Sequence, residues 1–102
     1  MPHVISLVAF RCRDDHRDAF LTAARDVLKP FWESKGSAKY EVYAEIGPTG
    51  PTGRVVEANH FPDRESYARM SAWVRSATDL PAAPYKNLYE PEFFVLEQRV
   101  GS

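Results

Sequence analysis

The chain has 102 residues, of which 44% are hydrophobic and 26% are charged, and its 13 basic and 14 acidic side chains give a net charge of −1. These values predict one folded globular domain over residues 1–102, and the lack of a basic stripe argues against nucleic-acid binding. No apolar run approaches the ~20 residues that cross a bilayer, which argues against a membrane protein. Cys12 is the only cysteine and the chain starts without a signal-peptide pattern, so we expect a cytoplasmic protein without an intrachain disulfide.

The first two predicted elements are a strand and a helix. Residues 4–10 are β-branched or apolar over most of their length, which is typical of a covered strand. Asp14 and Asp15 then suit a helix start, since carboxylates cap free N–H groups. The apolar stripe expected for this helix consists of Phe20, Ala23, Ala24, Val27, Leu28 and Phe31. Pro30 is expected to kink the helix or end its first part, and Gly36 to stop it.

The middle of the chain predicts a hairpin. Residues 39–46 alternate with a period of two, which indicates a strand. Its two faces consist of Tyr40, Val42, Ala44 and Ile46 on one side, and Lys39, Glu41, Tyr43 and Glu45 on the other. Residues 47–53, with three glycines and two prolines, indicate a loop, and residues 54–61 a second strand.

The last part of the chain predicts a second helix and a closing strand. Asp63 is expected to cap a helix whose buried stripe is Tyr67, Met70, Trp73 or Val74, and Ala77. A long connection follows, in which Tyr85, Leu88 and Tyr89 are candidates for a lid; residues 93–100 form the last strand. The order β-α-β-β-α-β predicts an α+β, ferredoxin-like fold, a four-stranded antiparallel sheet with two helices on one face.

The other sheet face, called here the open face, is where the sequence predicts function. A hairpin symmetric about Gly50 pairs Tyr43 with Glu57 there, and leaves His60 on the helix side opposite Tyr40. The residues predicted to share the open face are Glu41, Tyr43, Glu57, Asn59, Phe61, Phe93, Val95 and Glu97. The apolar members of this set, Phe61, Phe93 and Val95, form a patch that indicates an interface. We therefore expect a homodimer that encloses the polar groups in a cavity. The helix–sheet core is expected to contain Phe20, Leu28, Val42 and Leu96.

Two segments carry a resemblance to a known group. The strand YEVYAEIG and the strand-to-helix segment RVVEANHFPDRESY resemble the dimeric α/β-barrel superfamily, which includes antibiotic-biosynthesis monooxygenase-like, stress-responsive barrel and NIPSNAP-like domains. The resemblance implies homodimerisation, with a cavity between each sheet and its own helices or between the sheets. Activities in this group extend from cofactor-free oxygenation of aromatic polyketides through cyclisation to haem degradation. Its monooxygenases often carry tryptophan where this chain has Phe61, and glutamate where it has Asn59.

The residues and the resemblance together leave three functions open. The first is a small enzyme, without metal or organic cofactor, that oxygenates, cyclises or moves a proton on an aromatic or polyketide-like molecule in an apolar cavity. Glu57 is its expected acid/base group and Tyr43 holds the substrate oxygen; the predicted substrate-binding residues are Glu41, Asn59, Phe61, Trp73 and Phe93. The alternative is a non-catalytic dimeric ligand-binding or stress-associated barrel. A haem-handling protein is a third interpretation, although no histidine pair has metal-ligand spacing.

Overall fold

In the computed structural model, residues 3–101 are described, except for the side chain of Asp14. The described residues form one four-stranded sheet with antiparallel pairing throughout, in the order β2-β3-β1-β4. The strands are β1 Val4–Cys12, β2 Lys39–Gly47, β3 Gly50–Phe61 and β4 Leu88–Glu97. This is the strand order of a ferredoxin-like β-α-β-β-α-β fold, so the predicted fold class is confirmed.

The first helical region lies between β1 and β2 and is continuous over residues 14–34, but its middle turn is π-helical instead of α-helical. Its parts are a 3₁₀ turn Asp14–His16, α1 Arg17–Ala23, a π-helical turn Ala24–Leu28 and α2 Lys29–Ser34. Pro30 lacks an N–H, and its ring would clash with the carbonyl of residue 26 in regular α-helix. The π turn widens the helix just before this proline, with the Lys29 N–H bonded to the Ala24 carbonyl oxygen. Pro30 therefore alters the helix without ending it. Gly36, with φ 125°, lies in the turn that follows α2.

The second helix, α3 Arg64–Ser76, starts at the predicted cap. Asp63 accepts a 2.8 Å hydrogen bond from the Ser66 backbone N–H through Oδ1, which satisfies one of the free donors of the first turn. Glu65 in the first turn and Arg75 in the last turn also complement the helix dipole. After Ala77 the chain crosses to β4 through a 3₁₀ turn, Ala83–Tyr85.

The core lies between one face of the sheet and the helices. One buried cluster joins the first helical region to the sheet and contains Phe10, Cys12, Phe20, Ala24, Leu28, Tyr40 and Val55. A second joins α3 to the sheet and contains Val4, Phe61 and Met70. Phe20 and Leu28 are buried and Val42 packs against the first cluster, so these three core predictions are confirmed.

The hairpin register differs from the prediction by one residue. Glu57 pairs with Val42, and Tyr43 pairs with Val56. The cause is a tight turn at Pro48-Thr49, between the paired Gly47 and Gly50, instead of a loop centred on Gly50. An irregularity between Ala44 and Ile46 then shifts the register by an even number of residues, which preserves the phase set by the turn.

This change of phase moves several side chains to the other face of the sheet. Paired residues share a face, so the pairing of Val8 with Glu57, Ser6 with Asn59 and Val4 with Phe61 puts these β3 residues on the helix side. The prediction that Glu57, Asn59 and Phe61 lie on the open face is therefore wrong. His60 pairs with Lys39 and lies on the open face, not on the helix side.

The last strand is also reversed relative to the prediction. Phe93 pairs with Val8 and Val95 with Ser6, so both lie on the helix side, and Glu97, paired with Val4, lies there too. Phe94 and Leu96 lie on the open face, where Leu96 is 50% exposed, and the prediction of Leu96 as a core residue is wrong. Alternation determines which residues of a strand share a face, but the pairing with β1 decides which face that is.

Candidate functional site

A cavity of about 830 Å³ lies between the helix-facing side of the sheet, α3 and the connection that follows α3. This volume is in the range of small-molecule sites. Its wall is mostly apolar, and the residues that form it include Val8, Phe10, Phe61, Met70, Val74 and Phe93. A few polar side chains interrupt this wall, as expected of a site that orients a ligand. Their positions define the candidate site.

Glu57 is the central polar group of the cavity. It lies in the middle of β3, is 5% exposed, and accepts two hydrogen bonds on Oε2. One comes from the Tyr40 hydroxyl at 2.6 Å and the other from the Tyr85 hydroxyl at 2.8 Å. Trp32 Nε1 donates in turn to the Tyr85 hydroxyl oxygen at 3.0 Å. The site thus joins β3, β2, α2 and the connection before β4 through one hydrogen-bonded chain.

Burial controls the protonation of this group. Desolvation raises the pKa of Glu57, and the hydrogen bonds from Tyr40 and Tyr85 partly oppose that effect. The pKa values of both tyrosines are also raised, first by burial and then by the negative charge of Glu57. The tyrosines therefore remain protonated and act as donors. Since both bonds reach Oε2, Oε1 is the oxygen of Glu57 left to exchange a proton or hydrogen bond with a ligand.

Asn59 supplies a second polar group two residues further along β3. It lines the cavity, and its Oδ1 is buried without a hydrogen-bond partner among the described residues. A buried acceptor left unpaired costs about 1–3 kcal/mol. A ligand hydroxyl or N–H would remove that cost, so Asn59 is a candidate binding residue.

The structure brings together some of the predicted site residues and separates others. Glu57, Asn59, Phe61 and Phe93 all line the cavity. Tyr43 and Glu41 lie on the opposite face of the sheet, where Tyr43 is 52% exposed, so the predicted pairing of Tyr43 with Glu57 is wrong. The phase of the hairpin is the reason.

Trp73, predicted to bind substrate, does not line the cavity. Its ring lies 5.9 Å from the Phe31 ring, and the Lys35 ammonium lies 4.9 Å from its centroid. Tyr40 was not predicted to belong to the site, and Tyr85 was not predicted to contact Glu57. Two signals pointed toward them, since Tyr40 was placed on the helix side and Tyr85 in a candidate lid. Their convergence on one carboxylate depends on long-range packing.

The open face carries a separate polar network. His60 Nε2 lies 2.6 Å from Glu41 Oε1, and His60 Nδ1 lies 2.8 Å from His3 Nε2. Lys39 adds an ion pair with Glu41 at 3.1 Å. Hydrogen bonding, first from Tyr43 and then from Lys39 and His60, lowers the pKa of Glu41 to about 2. This carboxylate is therefore ionised at neutral pH, and its pKa is shifted in the opposite direction from that of Glu57.

Within residues 3–101, no group of three or more His, Cys, Asp or Glu side chains is arranged to hold a metal ion. None of the helices in this same range is long and apolar enough to cross a membrane.

No protein-family model matches the chain, and no curated protein matches it. Solved structures do match over nearly its full length. A NIPSNAP family protein of unknown function from Agrobacterium tumefaciens has 13% identity and a TM-score of 0.71, covering 98% of this chain and 91% of that one. A dimeric ferredoxin-like protein from an uncultured marine organism has 19% identity and a TM-score of 0.60, covering 98% and 96%.

A third similar structure comes from Bacillus cereus and is a proposed antibiotic biosynthesis monooxygenase. It has 13% identity and a TM-score of 0.65, and the match covers 100% of this chain and 98% of that one. At such identities the likeness concerns the fold. The similar structures are of the kinds that the two sequence segments resemble, which confirms that resemblance at the level of the fold.

Proposed function

We propose that this protein binds an apolar, aromatic or polyketide-like molecule in the cavity beneath its sheet and moves a proton on it with Glu57. One observation carries the proposal: a carboxyl group 5% exposed, held by two tyrosine hydroxyls, at the wall of an apolar cavity of about 830 Å³. A carboxyl group in such surroundings exchanges protons nearer neutral pH than an exposed one.

The geometry supports a specific division of labour. Tyr40 and Tyr85 hold Oε2 and stabilise negative charge on Glu57, while Oε1 meets the ligand. The ionised carboxylate takes a proton from an acidic C–H or O–H of the substrate, leaving an enolate or phenolate. The carboxylic acid then returns a proton to the same molecule, so Glu57 ends in its starting state. General acid–base catalysis of this kind contributes about 10²–10⁴ in rate.

A carbon acid tests this proposal directly. Benzoylacetone, an aryl-substituted dicarbonyl compound, is mixed with the protein in deuterated buffer, and NMR measures exchange at the carbon between its carbonyl groups. We expect the parent protein to accelerate exchange and Glu57→Gln to remove the acceleration. Glu41→Gln, a carboxylate on the opposite sheet face, is the matched control and should exchange at the parent rate. Equal rates in the parent and a folded Glu57→Gln protein would rule out Glu57 as the acid/base group.

The second candidate function is ligand binding without catalysis. It is favoured by the two tyrosine bonds to Glu57, because a purely structural buried carboxyl group also needs such partners. It predicts that benzoylacetone binds, that the parent protein leaves its exchange rate unchanged, and that Glu57→Gln binds it as well as the parent does.

We also propose that two copies of the chain pair through their open faces, in the cytoplasm. The exposed apolar side chains there include Tyr43 at 52%, Phe94 at 38% and Leu96 at 50%, and an apolar sheet face of this kind is usually covered. The similar ferredoxin-like structure is described as dimeric. For the location, the single cysteine, Cys12, is buried, which suits a reducing compartment.

Neighbouring phenylalanines of β4 provide a matched pair for testing the dimer. Phe94 lies on the open face and Phe93 on the helix side, where it is 72% exposed. Phe94→Glu should convert the dimer into a monomer in sedimentation equilibrium at tens of micromolar, while Phe93→Glu should remain dimeric. A parent protein that sediments as a monomer, or dissociation caused by Phe93→Glu alone, would contradict the proposed interface.

A further inference from the structure

Two positive side chains line the cavity from its solvent side. Arg75 comes from the last turn of α3, and Lys86 follows the 3₁₀ turn that precedes β4. Both are exposed, whereas Glu57 at the sheet is buried, so the positive charges lie at the mouth and the carboxyl group lies deep. Glu57 is the one acidic residue that lines the cavity in the described part of the chain.

These two cations differ from most others in the chain. Among the described residues, most arginines and lysines are paired with a carboxylate, as Arg54 is with Glu45 and Arg69 with Glu65. No such pair involves Arg75 or Lys86 within the same residues; Arg75 makes one hydrogen bond, at 3.4 Å to Ser71 Oγ. Two unpaired cations at the mouth of an apolar cavity attract anions.

We infer that the ligand is an amphipathic aromatic acid, with its anionic group at Arg75 and Lys86, its rings on the apolar wall, and a hydroxyl or N–H that donates to Asn59 Oδ1. This inference rests on the proposed binding role of the cavity and adds the substrate class. The geometry matches each part of such a molecule to a group on the wall. Guanidinium and ammonium groups bind a carboxylate or sulfonate through charge-assisted hydrogen bonds, and Asn59 has a buried acceptor to satisfy.

The depth of the two charged ends favours this orientation over the reverse one. An anion placed beside Glu57 would meet a carboxyl group in a desolvated position, where negative charges repel strongly. Burial raises the pKa of Glu57, so the deep end of the cavity tolerates a neutral donor or acceptor better than a second charge. The anionic group is therefore expected at the mouth.

Two fluorescent probes that share one ring system and one N–H test the inference. Anilinonaphthalene sulfonate is anionic, and phenylnaphthylamine is its neutral counterpart. The parent protein should bind the sulfonate more tightly. The double substitution Arg75→Gln with Lys86→Gln should weaken sulfonate binding about tenfold, or about 1.4 kcal/mol, and change neutral-probe binding less than about twofold. Added salt should weaken only the sulfonate in the parent.

The matched control removes the same net charge elsewhere. Arg25→Gln with Arg69→Gln alters two exposed arginines that do not line the cavity, and it should leave both probes at parent affinity. Asn59→Leu keeps a similar size without the acceptor and should weaken both probes to a similar extent. Ser71→Phe, which fills the cavity from α3, should abolish binding of both and thereby assign the signal to this cavity.

The outcomes separate the two levels of the proposal. If neither probe binds, or if Ser71→Phe leaves a folded protein with parent binding, the cavity is not the binding site and the proposed function fails with it. If both probes bind and Ser71→Phe blocks them, but the double substitution at the mouth leaves sulfonate affinity unchanged, the cavity stands and the anionic ligand class is overturned. Unchanged affinity of both probes in Asn59→Leu would overturn the role of Asn59.

Discussion

Replacing Tyr40 with phenylalanine removes one hydroxyl group and keeps the ring that packs in the core. The lost bond is the 2.6 Å hydrogen bond to Glu57 Oε2, between a tyrosine that is 3% exposed and a carboxyl group that is 5% exposed. Burial, the main influence on Glu57, raises its pKa, and the Tyr40 bond opposes this. Tyr40→Phe should therefore raise the pKa of Glu57 further and leave only Tyr85 to stabilise its negative charge.

The magnitude follows from the kind of bond that is lost. A hydrogen bond to a charged group contributes about 1.5–3 kcal/mol, and one between neutral groups about 1 kcal/mol. Tyr40→Phe should thus lower the free energy of unfolding by about 2 kcal/mol when Glu57 is ionised, and by about half of that when it is protonated. For a chain of this length, 2 kcal/mol corresponds to a fall of roughly 9 °C in Tm.

Denaturant unfolding at a series of pH values, at one protein concentration, measures this difference. Its size should grow as the pH rises through the pKa of Glu57, since only the carboxylate form gains the full benefit of the donor. NMR titration of the Glu57 side-chain carboxyl carbon reports the pKa directly. Tyr43→Phe, which removes a hydroxyl group from the opposite sheet face, is the control, because any change in stability that it causes should stay constant as the pH passes the pKa of Glu57.

Two results would refute the reasoning. One is a Tyr40→Phe protein as stable as the parent at pH 8, which would mean that the hydroxyl does not serve a buried carboxylate. The other is a destabilisation that is the same at every pH, together with an unchanged pKa of Glu57. The effect would then come from packing of the ring edge, and the polar centre of the cavity would lose its proposed electrostatic role.

Three further predictions concern the core, the charge of Glu57 and the α3 cap. Leu28→Ala should lower the free energy of unfolding by about 2–5 kcal/mol, because Leu28 is completely buried. Val27→Ala, at a half-exposed position, should lower it by no more than about 0.5 kcal/mol, and a loss as small as that in Leu28→Ala would contradict the core position of Leu28. Glu57→Gln should gain stability relative to the parent as pH rises. The raised pKa of Glu57 lets the folded parent hold a proton that the unfolded chain releases, so the stability of the parent falls from about pH 4.5 up to the folded pKa. Parallel curves of stability against pH for the two proteins would disprove this. Asp63→Ala should cost about 1 kcal/mol in urea unfolding through loss of the Ser66 N–H bond, with Asp63→Asn recovering most of it; equal losses in the two variants would exclude capping as the cause.

The sequence by itself determined the elements and their order. Helical spacing identified Phe20 and Leu28 as core residues, Asp63 was recognised as a cap, and Gly36 marked the turn after the first helical region. Strict alternation in β2 assigned Tyr40 to the helix side correctly. These features depend on contacts within a few residues or on the period of one element, which the linear pattern contains.

Only the tertiary structure decided which face each strand of the hairpin presents and which groups meet in the cavity. Alternation gives the side chains that share a face, but a tight turn at residues 48 and 49 sets the phase of β3 against β2, and a one-residue difference exchanges its two faces. The sequence pattern favoured putting the polar Glu57 and Asn59 outward, because burying them costs free energy. The fold buries them because Tyr40, from 17 residues away, and Tyr85, from 28 residues away, converge on Glu57, a contact that no local pattern specifies.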